Sequence, residues 1–524
     1  MVFRIAIDVP KMNSAGPFDA VFNILIVVAI ISLAARRFRV PSTIALIFAG
    51  IIATVSPPFP LPTLSPEIFT VLLLPPILFQ ETLHSDVEGL IRDSDSVLVF
   101  AIAGTILMTL TVAFFVYFIL GFTVIESFLL GIIISPTDPV AVISAFKEIG
   151  TVKRFQLIVS GESLFNDGVA IVLYSIFVTI ITLGSITPID ILAISALSIL
   201  GGVILGLVGG YAVHALFCWT DDRFTEVLIS FIVAFGIFKT AESLGASGVI
   251  ATVVAGLIIN YRTRNYGGLG KASFEMLEAL WAFVGFTASS LAFIFIGMNL
   301  DPAILVSDLL PMFLLFALVL VSRYIMVQGM AWLLERKRGK SFPRNWRLGL
   351  FWSGLRGAVS VVLVLGVGSL SLPNSGVLIA LTFGVVLISN VIQGLSIPGV
   401  IKHLNISEVD DSSYHISDGR GENLMKLKYS PEGFDASRPR LEHIIFSGPE
   451  YFIFETRFGV WFVVQLQRVL ESLNRYSIQQ IPERTGGLLR KTIELITDII
   501  SKVLSWINSF IIKRKMDRRN RKLR

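Results

Sequence analysis

Three short stretches place ionisable or hydroxyl side chains inside otherwise apolar runs. In SFLLGIIISPTDPVAVISAF (127–146), Thr137 and Asp138 sit between Pro136 and Pro139. Each proline removes a backbone donor and clashes with the preceding turn, so the pair predicts a helix unwound near its middle. Irregular backbone at membrane depth is tolerated only where protein buries it or it lines a cavity. It frees carbonyls for a cation and leaves half-helix ends aimed at the site. In QLIVSGESLFNDGVAIVLYSIF (156–177), Ser163 and Asp167 are four residues apart and share one helical face. That face offers a carboxylate and a hydroxyl, both hard oxygen ligands. Glu162 and Asn166 occupy the adjacent stripe. In LGLFWSGLRGAVSVVLVLGVG (348–368), Arg356 lies deep in an apolar run between Gly354 and Gly357. A buried guanidinium needs a carboxylate partner, and the candidates are Glu162, Asp138 and Asp167. Ser353, Gly354 and Gly357 are weak points for a second break, and Asn390 is placed to cap or bridge it. Charges at such depth default to a functional reading. The chemistry they point to is coordination of a cation by hard oxygen ligands.

Further polar positions carry less. Gln80 and Glu81 close the apolar run PPILFQETL. Arg323, in a later run, is expected either to pair or to snorkel. Lys239 and Glu242 are four apart and read as a mutual ion pair.

The elements that must hold these residues are membrane helices. Of 524 residues, 54% are hydrophobic and only 15% charged, against about 25% charged in a soluble domain. Mean hydropathy is +0.77. This balance excludes an ordinary soluble enzyme, a nucleic-acid binder and a disordered chain. The single cysteine, Cys218, cannot form an internal disulfide, and the five histidines show no ligand-like spacing. No cofactor is expected. Ser163 has no histidine or lysine near it in sequence to activate it, so the chain does not read as an enzyme.

About thirteen stretches are apolar enough to span, at roughly 20 residues each. They cover 18–35, 40–56, 66–83, 95–121, 125–147, 155–184, 187–218, 224–242, 245–262, 275–298, 303–334, 346–371 and 374–400. The first lacks the basic segment and small-residue site of a cleavable signal. Loops after odd-numbered stretches hold the Lys and Arg residues, from Arg36 and Arg37 to the cluster Arg336–Arg347. Loops after even-numbered stretches, such as GFTVIE and ESLGASG, hold none. The bias puts the N-terminus outside and the C-terminus in the cytoplasm. With the seventh stretch set aside, two groups of six remain with opposite starting sides, the topology of an inverted repeat.

With SPTDPVAV, GESLFNDGVAIVL and WSGLRGAVS in this order, the chain resembles the sodium/proton exchangers. It is most similar to the prokaryotic electroneutral branch of the monovalent cation:proton antiporters. The resemblance covers residues 18–400. It implies an all-α polytopic fold of thirteen helices, two inverted six-helix repeats with crossed unwound helices, and a homodimer. Carried over by motif, it implies that Asp167 binds either cation or proton, with Ser163 and Thr137 supplying oxygens. The Asn166-Asp167 pair is typical of the electroneutral branch. Asp138 would offset the half-helix dipoles at the break. Glu162 and Arg356 would form a buried ion pair. A third-helix carboxylate would fall on Glu81, with Gln80 its rival by one position.

The expected activity is therefore exchange of sodium or lithium for protons in the cell membrane, with potassium/proton exchange as the alternative on the same fold. A cation channel or membrane sensor is the rival of another class. Residues 1–402 form the expected transport domain and 403–524 a cytoplasmic hydrophilic region. In that region Leu488, Leu489, Ile493, Ile496, Ile500, Val503, Leu504 and Ile507 trace an amphipathic helix over 485–512. The chain ends in the basic run KRKMDRRNRKLR, suited to anionic lipid.

Overall fold

In the computed structural model, the described residues run from 17 to 406, apart from 39–40, 56–65, 184–187, 221, 299–307, 339–341, 369 and 371. The hydrophilic region expected over 403–524, with its amphipathic helix and basic run, lies outside them beyond 406. Among the described residues there are helices and no strand. In chain order they are α1 (Pro17–Phe38), α2 (Ser42–Val55), α3 (Pro66–His84), α4 (Val87–Arg92), α5 (Ser94–Leu120), α6 (Val124–Ile134), α7 (Val140–Ile149) and α8 (Lys153–Leu183). There follow α9 (Pro188–Phe217), α10 (Arg223–Ser243), α11 (Gly248–Tyr266), α12 (Lys271–Met298), α13 (Leu309–Arg338), α14 (Arg344–Trp352), α15 (Ala358–Val367) and α16 (Ser375–His403).

Among the described residues, each apolar stretch read from the sequence contains helix. Seven helices among the described residues are long and apolar enough to cross a membrane by length and composition, and shorter apolar helices lie in α1, α2, α6 and α15. The protein is a multi-pass membrane protein. Two of the apolar stretches are broken. The fifth divides into α6 and α7 around residues 135–139, and the twelfth into α14 and α15 around 353–357.

Local chemistry sets these boundaries. α6 opens with a capping box: the Thr123 hydroxyl accepts from the Glu126 amide at 3.3 Å, and Glu126 Oε2 accepts from the Thr123 amide at 3.1 Å. α7 ends at Gly150, whose φ of 76° is left-handed backbone that glycine adopts at no steric cost.

Small residues let helices approach closely, which is the main source of attraction between helices in lipid. Gly202, Gly206 and Gly210 of α9, spaced four apart, lie against the backbone of α11 where a Cβ would collide with Ser247, Ala251 and Ala255 carbonyls. Gly50 of α2 and Gly297 of α12 face each other in the same way. α3 packs on α10, α11 and α12 on one side and on α8 and α15 on the other. α3 thereby meets α8 and the second half of the second broken helix.

Candidate functional site

The first break follows from its prolines. Pro139 has no N–H to give the Ser135 carbonyl four residues back, and the Val140 amide turns instead to Asp138 Oδ1 at 2.9 Å. The carbonyls of Ser135 and Pro136 are thus left without their helical donors. Pro136 likewise cannot serve Ile132, whose carbonyl accepts from the Ser135 hydroxyl at 2.8 Å.

Arg356 fills the gap. Its guanidinium, 1% exposed, donates from one nitrogen to the Ser135 carbonyl at 3.0 Å and the Pro136 carbonyl at 3.1 Å. In return, the Asp138 amide donates to the Leu355 carbonyl at 2.8 Å. The Asp138 side chain lies directly on Gly357, where any Cβ would collide with it. The two breaks cross backbone to backbone.

α16 closes the second break. At a π-helical turn over Asn390–Gly394, Asn390 Nδ2 donates to the carbonyls of Arg356 and Val386, both at 2.9 Å. Gln393 Nε2 reaches the Trp352 carbonyl at 3.1 Å, and Ser389 Oγ accepts from the Arg356 amide at 3.4 Å. The bridging expected of Asn390 is present. Ser389 and Gln393 are additions, and their signal was a cluster of amide and hydroxyl side chains in an apolar run.

α8 brings the third motif to the crossing. Thr137 Oγ1 and Ser163 Oγ are 2.9 Å apart, and Asn166 Nδ2 donates to Thr137 Oγ1 at 2.9 Å. Asp167, beside Asn166, is 6% exposed. Asp167 Oδ1 and Asn166 Oδ1 are buried without a hydrogen-bond partner. Asp138 and Glu81 lie within electrostatic reach of Asp167 and of each other. Glu81, at the end of α3, therefore faces the crossing. Gln80 packs instead against Gly285 of α12. The site thus gathers Thr137, Asp138, Ser163, Asn166, Asp167 and Glu81 from two helices and a break. Buried polar atoms are nearly always paired, and these two oxygens are acceptors without a donor among the described residues.

The expected Glu162–Arg356 pair is corrected. Both Glu162 oxygens bind Arg323 of α13; the Nη1–Oε1 contact is close and Nη2–Oε2 measures 3.0 Å. Arg323 Nη2 also donates to the Leu350 carbonyl at 3.1 Å. Arg323 stands midway along a 30-residue apolar helix, too far from either end to snorkel. Its fork meets the carboxylate in a two-point pair. Arg356 is within electrostatic reach of Glu162, but its hydrogen bonds go to the carbonyls that the prolines freed.

The family model for the transmembrane sodium/hydrogen exchanger matches residues 24–403. The chain belongs to the sodium/hydrogen exchanger family. Its members are transporters, not enzymes. Among curated relatives, the low-affinity Na+/H+ antiporter NhaS1 of Synechocystis is 31% identical over 70% of this chain and 70% of its own length. The Na+/H+ antiporter NhaP of Pseudomonas aeruginosa is 34% identical over 64% of this chain and 81% of its own. Among solved structures, the sodium proton antiporter MjNhaP1 of Methanocaldococcus jannaschii at pH 8 superposes with a TM-score of 0.61 at 20% identity. That match covers 74% of this chain and 99% of the other, and it supports the exchanger fold. All three sequence motifs, and the whole of the crossing, fall within residues 24–403 matched by the family model.

Proposed function

We propose that this chain exchanges sodium or lithium for protons, one for one, across the cell membrane. The observation that carries the reading is Asp167: a nearly buried carboxylate with a partnerless oxygen, set beside the linked hydroxyls of Thr137 and Ser163 at the crossing of two broken helices. A sodium/hydrogen exchanger family supplies the transported ions, and relatives named as Na+/H+ antiporters support sodium over other cations.

Burying an ionised carboxylate alone is costly. In the proposed cycle, Asp167 crosses the barrier neutralised, carrying either one cation or one proton. The cation is held by Asp167 with Thr137, Ser163 and Glu81. Asn166 orients Thr137 through its amide, and its free carbonyl oxygen adds a dipole without adding charge. One carboxylate that accepts one ion of either kind moves no net charge per cycle. Asp138 balances the half-helix ends at the crossing, Arg356 holds the unwound backbone, and Glu162 with Arg323 ties α8 to α13. Exposure of the site alternates by rocking of the broken helices and their neighbours.

The proposed topology has thirteen crossings in two inverted halves, with the N-terminus outside and the C-terminus in the cytoplasm. Residues 1–402 form the transport domain, which works as a homodimer, and 403–524 form a cytoplasmic region that meets lipid.

The test uses purified protein in liposomes with an imposed pH gradient, a pH-sensitive dye and a valinomycin clamp on voltage. Dissipation by sodium and lithium, unchanged by voltage, is the expected result. Dissipation by potassium alone would transfer the site to potassium/proton exchange. A rate that scales with voltage would contradict electroneutrality, and conductance without proton coupling would make the protein a channel. Folded protein inert to every cation would point to a sensor.

A further inference from the structure

Asn260 belongs to none of the three motifs. It sits on α11, its side chain fully buried. Its Nδ2 lies at hydrogen-bond distance from three main-chain carbonyls at the end of α3: Thr82 at 2.7 Å, Leu83 at 3.1 Å and Ser85 at 2.9 Å. Two N–H bonds are shared among three acceptors. One turn earlier on α11, Gly256 lies against the Thr82 side chain, with no room for a Cβ. One turn later, Arg264 adds a long contact to the Leu83 carbonyl at 3.5 Å.

A helix leaves its last four carbonyls without intrahelical donors. At the end of α3 some are closed locally. The Ser85 hydroxyl donates to the Glu81 carbonyl at 2.7 Å, while the Thr82 hydroxyl and the His84 ring add bonds to Phe79 and Gln80 one turn earlier, at 2.7 and 2.9 Å. The Thr82 carbonyl takes a long local bond from the Ser85 amide at 3.3 Å, and it and the Leu83 carbonyl are closed more tightly by a different helix. Glu81 immediately precedes the first residue that Asn260 holds, so its height and rotation are referred to α11. α11 is itself held against α9 by the glycine stripe. None of these contacts involves α8 or the break between α6 and α7, which carry the rest of the site.

We infer that Asn260 is a positioning residue for the cation site: it fixes the Glu81 carboxylate, through the backbone of Thr82 and Leu83, opposite Asp138 and Asp167. The inference rests on Glu81 being a cation ligand, as proposed above. A purely structural cap would make Asn260 matter for stability and leave ion affinity alone.

The experiment measures apparent KM for sodium and maximal rate in proteoliposomes, across pH, for the full chain and for Glu81→Gln, Asn260→Ala and the double variant. Loss of about one to two hydrogen bonds' worth of placement predicts a KM rise of about tenfold in Asn260→Ala, with maximal rate within about twofold. The pH profile moves in the same sense as in Glu81→Gln, and the double variant is no worse than Glu81→Gln alone. Asn260→Ser, which keeps one donor, falls between. If Asn260→Ala does not accumulate as folded protein, Asn260→Ser and Gly256→Ala, which displaces Thr82 sterically, carry the same comparison. Effects of Asn260→Ala and Glu81→Gln that multiply in the double variant would overturn the inference while leaving Glu81 a ligand. An unchanged KM in Glu81→Gln would remove Glu81 from the site and the inference with it.

Discussion

The amide of Asp138 donates to the carbonyl of Leu355 at 2.8 Å, and the guanidinium of Arg356 returns the contact to the carbonyls of Ser135 and Pro136. Each broken helix thus satisfies backbone groups that the other break exposes. Water is scarce at that depth, and every unpaired backbone group there costs free energy. The crossing is therefore a mutual solution rather than two independent kinks.

The crossing predicts that Arg356→Ala loses both function and stability, because two buried carbonyls lose their donor. The expected cost is about 2–6 kcal/mol, at roughly 1–3 per unsatisfied buried group. Arg356→Lys, with a compact ammonium in place of the fork, recovers part of it. Thermal unfolding in detergent reads the first quantity and sodium-driven dye recovery the second. An Arg356→Ala protein of unchanged stability would contradict the role given to it.

Glu162 and Arg323 predict a strong coupling. Removing one member of a buried pair leaves an uncompensated charge, at about 3–5 kcal/mol. Arg323→Met should therefore destabilise severely, and Glu162→Gln added to it should restore much of the loss. A double-mutant cycle by thermal unfolding measures this. The same cycle on Glu162 with Arg356 should show weaker coupling; equal coupling would mean that Arg356 shares the pair.

Gly357 is predicted to tolerate no side chain. A Cβ there meets the Asp138 side chain, and Gly357→Ala must push the breaks apart. Overpacking costs about 1–3 kcal/mol, so folded protein should survive while exchange is lost. Wild-type transport in Gly357→Ala would show that the breaks are not as closely seated as described.

Much of this site was legible in the sequence. Two prolines around a Thr-Asp pair announce a break, and Ser163 with Asp167 at a spacing of four announces one face. Both needed only local chemistry. The partner of Glu162 was not legible, because pairing between distant helices depends on their relative depth and rotation. A usable sign did exist. Arg323 stands at the middle of a 30-residue apolar helix, where snorkelling is impossible and only a buried partner suffices. Arg356 misled because a buried guanidinium suggests a carboxylate, whereas unwound backbone offers carbonyls that serve as well. Asn260 was silent for the same reason: its partners are main-chain atoms, which leave no trace in residue types.

Asp167→Asn is predicted to abolish exchange without unfolding the protein, since Asn is near in shape and cannot carry the proton. Elution as a single folded species with no sodium-dependent dye recovery is the expected pair of observations. Preserved proton-coupled sodium exchange in that variant would place the ion-carrying carboxylate elsewhere.

The most direct measurement is the apparent KM for sodium as a function of pH on the same side of the membrane, in voltage-clamped liposomes. If one carboxylate carries either ion, proton and sodium compete. KM should then rise by about tenfold for each unit of pH below the pKa of the carboxyl, with the maximal rate unchanged. A KM for sodium that holds steady as pH falls, while the maximal rate declines, would contradict a shared site.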